Sequence, residues 1–311
     1  MNASQKEQNS KRLLGNLLLI LTAMIWGCAF VAQRSGMEHI EPLTFNAARL
    51  VLASAAVGTL ALVTGRRRAA AQPDRTPEQV REERRATVLG GICCGCFMAA
   101  ASALQQMGLV YTEAGKAGFI TALYMLLVPV LSFVLFRKKH SVQVWIAVAV
   151  GLVGLYLLCM AESLRLNRGD ALICLCALTY SGHILCTAHF VQKGNPVGIA
   201  ALQFMTAAAI TLPLAFLTEE PTWAKVASAA VPILYCGLCS SGIGHTLQIV
   251  AQKYTEPTVA SLLMSLESVF AVLAGALLLG ERMSGRELLG CVIMFAAIVL
   301  VQIPLPKKKH A

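Results

Sequence analysis

The chain has 311 residues, of which 57% are hydrophobic and only 14% charged, and its mean hydropathy is +0.66. A soluble domain carries about 25% charge, so an ordinary water-soluble globule is excluded. The formal net charge of +10 does not indicate nucleic acid, because no basic module interleaved with aromatics is present.

A bilayer-crossing helix needs about 20 apolar residues. Ten such runs occur in chain order, at about 13–32, 42–63, 87–109, 116–136, 142–160, 170–190, 197–217, 228–250, 258–279 and 285–303. They are too long for strands and lack strict alternation, so each is predicted as a helix. Helices also satisfy every backbone group within lipid. The first run follows Lys11 and Arg12 but precedes no small-residue cleavage site, so it reads as a retained helix and not a signal peptide. The one long polar insert, GRRRAAAQPDRTPEQVREERRA at 65–86, reads as a connector with room for a short surface helix. Pro129, Pro213 and Pro232 fall within spans and mark expected kinks.

Charge sets the orientation. With the N-terminus inside, 18 of the 26 Lys and Arg residues lie on the inner side, including Arg66–Arg68, Arg137–Lys139 and Lys307–Lys309. Seven lie outside: Arg34, Lys116, Arg165, Arg168, Lys225, Arg282 and Arg286. Basic residues favour the cytoplasmic side, so both termini are expected in the cytoplasm and the chain in the cytoplasmic membrane. Because the clusters flank spans, anionic lipid headgroups are their expected partner.

The chain resembles itself. At an offset of 154, Ala23 matches Ala177, Trp26 matches Tyr180, Gly27 matches Ser181 and Pro42 matches Pro196, and Arg49 falls opposite Gln203. At an offset of 143, Leu104-Gln105 matches Leu247-Gln248, Tyr111-Thr112-Glu113 matches Tyr254-Thr255-Glu256 and Ala117 matches Ala260. The insert at 65–86 absorbs the change. The organisation is therefore residues 1–12 as a cytoplasmic segment, repeats at 13–160 and 169–303, and a basic tail at 304–311. Five spans per repeat is an odd number, so the halves cross the membrane upside down relative to each other. Inverted repeats are a common transporter design. The expected fold is an all-α integral membrane protein of ten transmembrane helices in two inverted five-helix repeats.

Four stretches carry a family likeness: WGCAFVAQRSG at 26–36, PLTFNAARLVLA at 42–53, YTEAGKAGFITALYMLLVPVLSFVLF at 111–136 and SLESVFAVLAGALLLGER at 265–282. In order and spacing they resemble the drug/metabolite transporter superfamily, EamA-type branch. The resemblance spans about 13–303. It implies a central cavity built mainly from spans one, three, four, six, eight and nine, and movement of small metabolites, often amino acids or related compounds. Two departures stand out. The family's usual Glu-Pro is Glu267-Ser268 here, which removes an expected kink in span nine. The glutamate that usually closes span four is replaced by Arg137-Lys138-Lys139.

Glu267 stands about ten residues into span nine, near mid-membrane, and no other Asp or Glu lies comparably deep. An ionised group there costs at least ~2.5 kcal/mol. Three outcomes stay open: a neutral acid bonded within the bundle, an ion pair, or a carboxylate on a wet cavity. Ala260, Met264, Glu267, Ser268, Ala271 and Gly275 share one helical face, small and polar enough for a cavity lining or tight packing. Glu267 is therefore the candidate for coupling to protons and, with Trp26, Gln105, Tyr124, Tyr180, His183, His245, Gln248 and Ser268, one of nine candidates for the substrate cavity.

Other deep polar groups include Tyr124, Tyr235, and the repeat mates Gln105 and Gln248. An amide donates and accepts, so the two amides fit either a zwitterion's two ends or an interhelical clamp. Trp26 and Tyr180 fit a cavity wall or bundle packing. His183 and His245 could titrate near neutrality but read first as bundle histidines. Arg49 can snorkel outward, bind a substrate carboxylate or serve structure; the resemblance places span two at the periphery, which favours structure. The 11 cysteines all fall inside spans, so a disulfide framework is not expected. CCGC at 93–96 and CGLC at 236–239 read as apolar packing in place of metal ligands.

No catalytic constellation and no phosphate-binding loop are present. The expectation is a secondary transporter for a small metabolite, in the export direction, with a proton as candidate coupling ion, no cofactor and no metal. The alternatives are a non-transporting receptor or structural protein, then an intramembrane enzyme.

Overall fold

The structure is a computed structural model, and it describes residues 3–71, 75–112, 114–159, 167–279 and 283–303. Glu113, Arg165, Glu281, Arg282 and the tail at 304–311, all used above, lie outside the described residues. Among the described residues there are ten apolar helical spans, nine long enough to cross a bilayer and one, the fifth, shorter. Span one is Ala3–Gly36, span two Pro42–Ala71, span three Pro77–Gly108, span five Val142–Cys159, span six Arg168–Phe190, span seven Pro196–Thr218 and span ten Gly285–Gln302. Span four is two helices, Ala114–Ala122 and Tyr124–Phe136, and span nine is likewise Pro257–Met264 and Glu267–Leu279. Span eight runs Ala230–Leu234, Tyr235–His245 and Thr246–Gln252, the middle piece wound as a wide π-helix. Pro232 lies just before it. A short helix, Trp223–Ser228, links spans seven and eight.

Helix ends follow their sequence signals. Thr76 and Gln79, Asn167 and Asp170, and Ser284 and Glu287 each form a capping box. Asn195 and Pro196 start span seven in the same spirit, a capping amide followed by a proline whose missing N–H is not needed there. The connector between spans two and three is largely helical continuation of both, tied by Arg68 to Glu83 at 2.5 Å and by Arg75 to the same carboxylate.

The halves pack as a two-fold pair. Span two lies on span seven and span five on span ten, which are self-matching pairings. Span three meets spans six and seven, just as span eight meets spans one and two; span four meets span six as span nine meets span one. Each half crosses the membrane five times, so the symmetry operation inverts one half relative to the other. Small residues allow the approach: a Cβ on Gly154 of span five would sit 2.8 Å from the Met294 nitrogen of span ten. Leu62, Val134 and Phe216 stand exposed on the outside of the bundle, as residues facing acyl chains would.

The two ends of the bundle differ in charge. At the end away from the basic clusters, Asp170 is completely buried and accepts from Lys116 at 2.5 Å, from the Thr112 hydroxyl at 3.0 Å and from the Asn167 backbone at 2.8 Å. Its repeat mate at the basic end is Asn16, which, among the described residues, accepts a neutral bond from Thr255, the mate of Thr112, at 3.1 Å. Removing the carboxylate takes away the buried acceptor shared by the Thr112 hydroxyl and the Asn167 backbone, at a cost of about 2 kcal/mol. Asp170→Ala is expected to lower stability by about that amount in a detergent melt, whereas Asn16→Ala, which loses one neutral bond, costs about 1 kcal/mol.

Candidate functional site

Span nine is interrupted at Ser265–Leu266, immediately before Glu267. This corrects the expectation that a chain lacking proline at 268 loses the kink. Side-chain bonds compete with the helix ladder there. The Ser261 hydroxyl donates to the Thr258 carbonyl at 2.9 Å and the Ser265 hydroxyl to the Leu262 carbonyl at 2.7 Å. The Leu266 and Ser268 N–H groups then turn to carbonyls three residues back, both at 3.3 Å. Span four breaks at the matching residue, Leu123, whose N–H bonds the Ile120 carbonyl at 3.2 Å. Ser268 sits in the first turn of the new helix, where proline is tolerated. Ser268→Pro is therefore expected to fold within about 1 kcal/mol of the parent, read by thermal unfolding.

The two breaks bring a pair of repeat mates together. Tyr124 and Glu267 are 143 residues apart, the offset of the second repeat match, and each opens the helix after its break. The Tyr124 hydroxyl donates to Glu267 Oε1 at 3.0 Å. The pair sits where the halves meet, and both side chains border a cavity.

Seven of the nine sequence-predicted residues border that cavity: Trp26, Gln105, Tyr124, Tyr180, His245, Gln248 and Glu267. They come from spans one, three, four, six, eight and nine. The Trp26 indole donates to the Ser240 carbonyl at 3.1 Å and its ring lies 4.5 Å from that of His245. The wide winding of span eight is what places His245 there; its Nδ1 is 3.2 Å from the Ser240 carbonyl five residues back. Gln105 makes only a long bond to Thr121, 3.4 Å, and Gln248 Oε1 is buried without a partner among the described residues. The remaining two lie behind the lining. His183 pairs with Gln203 at 2.9 Å, and the Ser268 hydroxyl reaches the Gly118 carbonyl at 3.5 Å.

Span two also contributes, despite its expected peripheral place. Arg49 is 4% exposed and borders the cavity, so it does not snorkel outward. Its Nε donates to Asn46 Oδ1 at 2.9 Å and its Nη1 to Gln33 Oε1 at 3.2 Å. Gln33 was missed in the sequence. Its signal was spacing: Trp26, Ala29, Phe30 and Gln33 recur as one helical stripe, and all four border the cavity.

Space for the centres of water molecules inside the lining is about 40 Å³, room for a few waters. Toward the basic end a larger vestibule of about 450 Å³ opens between spans four and six and the span eight–nine turn, bordered by Ser132, Leu185, His189, Lys253 and Glu256 among others. Gln252 separates the two spaces, accepting from Gln248 at 3.2 Å and donating to the Ile184 carbonyl at 3.1 Å. At the other end the matching surfaces are shut. Span one comes so near span nine that a Cβ on Gly27 would lie 2.6 Å from Phe270 Cβ and 2.7 Å from the Glu267 carbonyl. The bundle thus encloses a small polar cavity, closed on one side and approached by a vestibule on the other.

Comparisons with known proteins agree with this architecture. Residues 13–160 and 167–303 each match the EamA-like transporter family. A protein of Archaeoglobus fulgidus described as an uncharacterized transporter is 26% identical over 293 residues, covering 94% of this chain and 87% of its own. The uncharacterized transporter YwfM of Bacillus subtilis is 23% identical, covering 95% and 96%. Protein PecM of Dickeya dadantii is 26% identical over 60% of this chain and 64% of its own. A crystal structure superposes with a TM-score of 0.74 over 94% of this chain and 96% of that one, at 18% identity, which speaks for the fold alone. With both repeats matched and the two-fold bundle in place, the chain belongs to the EamA-like transporter family and is a multi-pass membrane transporter.

Proposed function

We propose that the chain is a secondary transporter that exports a small metabolite, an amino acid or a related compound, across the cytoplasmic membrane by alternating access. In this reading a proton couples through Glu267. The observation that carries it is the Tyr124–Glu267 hydrogen bond, between repeat mates, at a cavity shared by the two halves. A group on the junction of two inverted halves is reachable from either side when the halves exchange conformations. The vestibule at the basic end supports loading from the cytoplasm, since basic ends favour that side.

The site that serves is the cavity bordered by Trp26, Gln105, Tyr124, Tyr180, His245, Gln248 and Glu267, with His183 and Ser268 holding the shape from behind. The test is flux. Liposomes containing the protein and loaded with single radiolabelled amino acids should release at least one faster than empty liposomes, and faster when a proton gradient opposes the exported solute. Binding without release would return the receptor reading, and a changed molecule the enzyme reading.

A further inference from the structure

A buried cation borders the cavity, and Glu267, on the same lining, is bonded to Tyr124 in place of it. Arg49 is 96% buried by residue surface, and among the described residues no carboxylate lies within ion-pair distance of it. Taking a guanidinium out of water is unfavourable unless an anion compensates it. Its partners, the amide oxygens of Asn46 and Gln33 and the thiol of Cys236, are neutral. They fix the guanidinium without neutralising it. Asn46 is itself held, donating from Nδ2 to the Ser102 hydroxyl at 3.0 Å, and that hydroxyl donates to the Met98 carbonyl at 2.7 Å. A planar fork of donors is thus oriented in advance and its charge left for something else.

We infer that Arg49, positioned by Gln33 and Asn46, is an anion subsite that holds the carboxylate of the transported metabolite. This rests on the transport reading above and says which group of the substrate the chain grips: its carboxylate. Three observations bear on it together. The fork geometry of guanidinium matches a carboxylate's two oxygens. Arg49 lies seven residues into span two from the end away from the basic clusters, and Glu267 ten residues into span nine from the basic end. Arg49 therefore lies farther from the basic end than Glu267 does, on the far side of Gln252 from the vestibule. The vestibule itself carries Lys138 and Lys253 against Glu256, which pairs with Lys138 at 3.2 Å, and the single positive charge left over draws anions inward. The repeat mate of Arg49 is Gln203, occupied with His183, so the subsite is one-sided and orients the substrate.

The test uses the full chain purified in detergent. Melting temperature is followed against L-amino acids, the corresponding primary amines lacking the carboxylate, and the corresponding carboxylic acids lacking the amine. Carboxylate-bearing compounds should stabilise the protein and the amines should not. Gln33→Glu, which presents an internal carboxylate to Arg49, should weaken carboxylate binding at least tenfold while melting at or above the parent temperature. Arg49→Lys, a point charge without the fork, should weaken it at least fivefold. The inference is overturned if amines stabilise as well as their carboxylates, if Gln33→Glu binds carboxylates unchanged, or if no carboxylate in the panel stabilises the parent. Flux separates the two readings. Carboxylates that bind but are not released from liposomes sink the transport reading and leave the subsite; release of amines alone sinks the subsite and leaves transport.

Discussion

Glu267→Gln is expected to abolish most transport, by tenfold or more, and to flatten the pH dependence of what remains, with the protein inserted and folded as before. Glutamine has nearly the shape of the neutral acid and keeps an oxygen for the Tyr124 hydroxyl, which donates at 3.0 Å. The local break before residue 267 is set by Ser261 and Ser265 and does not depend on the carboxyl. What disappears is the ability to gain and lose a proton in a water-poor site, the one property an amide cannot supply. Initial efflux rates across a range of pH, normalised to inserted protein, check this. An amide variant with parental rates and a parental pH profile would remove Glu267 from the coupling role. Tyr124→Phe offers a contrast: it deletes the bond and spares the acid, so transport should fall less while the pH profile shifts.

Gly27→Leu is expected to stop transport just as thoroughly, by a different route. Any Cβ at residue 27 meets Phe270 Cβ at 2.6 Å, the Ala271 nitrogen at 2.7 Å and the Glu267 carbonyl at 2.7 Å. Two of those are backbone atoms in a span, which side-chain rotation cannot move aside. Relief comes from separating span one from span nine, which opens the end away from the basic clusters. The repeat mates of Gly27 and Phe270 are Ser181 and Leu127, on spans six and four; those spans border the open vestibule. The variant should therefore favour the conformation in which spans four and six close and spans one and nine part. An impermeant thiol reagent applied from the non-basic side should label a cysteine at Ala29, a cavity-bordering position, at least tenfold faster in the Gly27→Leu background. Both backgrounds carry Cys28→Ser, so that the adjacent native thiol does not contribute. Equal labelling with normal transport would mean that the Gly27 contact does not gate access.

The ten spans, their repeat and the depth of Glu267 were legible because each depends on a local or additive property. Apolar length decides whether a segment leaves water, and a repeat is visible as soon as the chain is compared with itself. Seven of the nine nominated side chains border one cavity for a related reason: a polar group deep in an apolar span has few places to go other than the bundle interior. The places where reading the chain went astray are those where the answer depends on a partner. Span nine breaks without proline where two serines bond its own carbonyls, a choice between helix ladder and side chain that composition does not resolve.

Arg49 is the clearest instance. Its residue type and depth were visible, yet whether it reached lipid headgroups, water or the cavity hung on span two's rotation and on Gln33, sixteen residues away on another helix. His183 and Ser268 passed behind the lining for the same reason, since a helix rotation of a single position moves a side chain by about 100°. The wide turns at Tyr235–His245, the closed end at Gly27 and the vestibule at Gln252 are likewise relations between helices. So residue order settled how many times the chain crosses and that its halves mirror each other, because hydrophobicity and periodicity act within a segment. Which side chains share the cavity, and which end is open, came from packing, because that free energy belongs to pairs of segments.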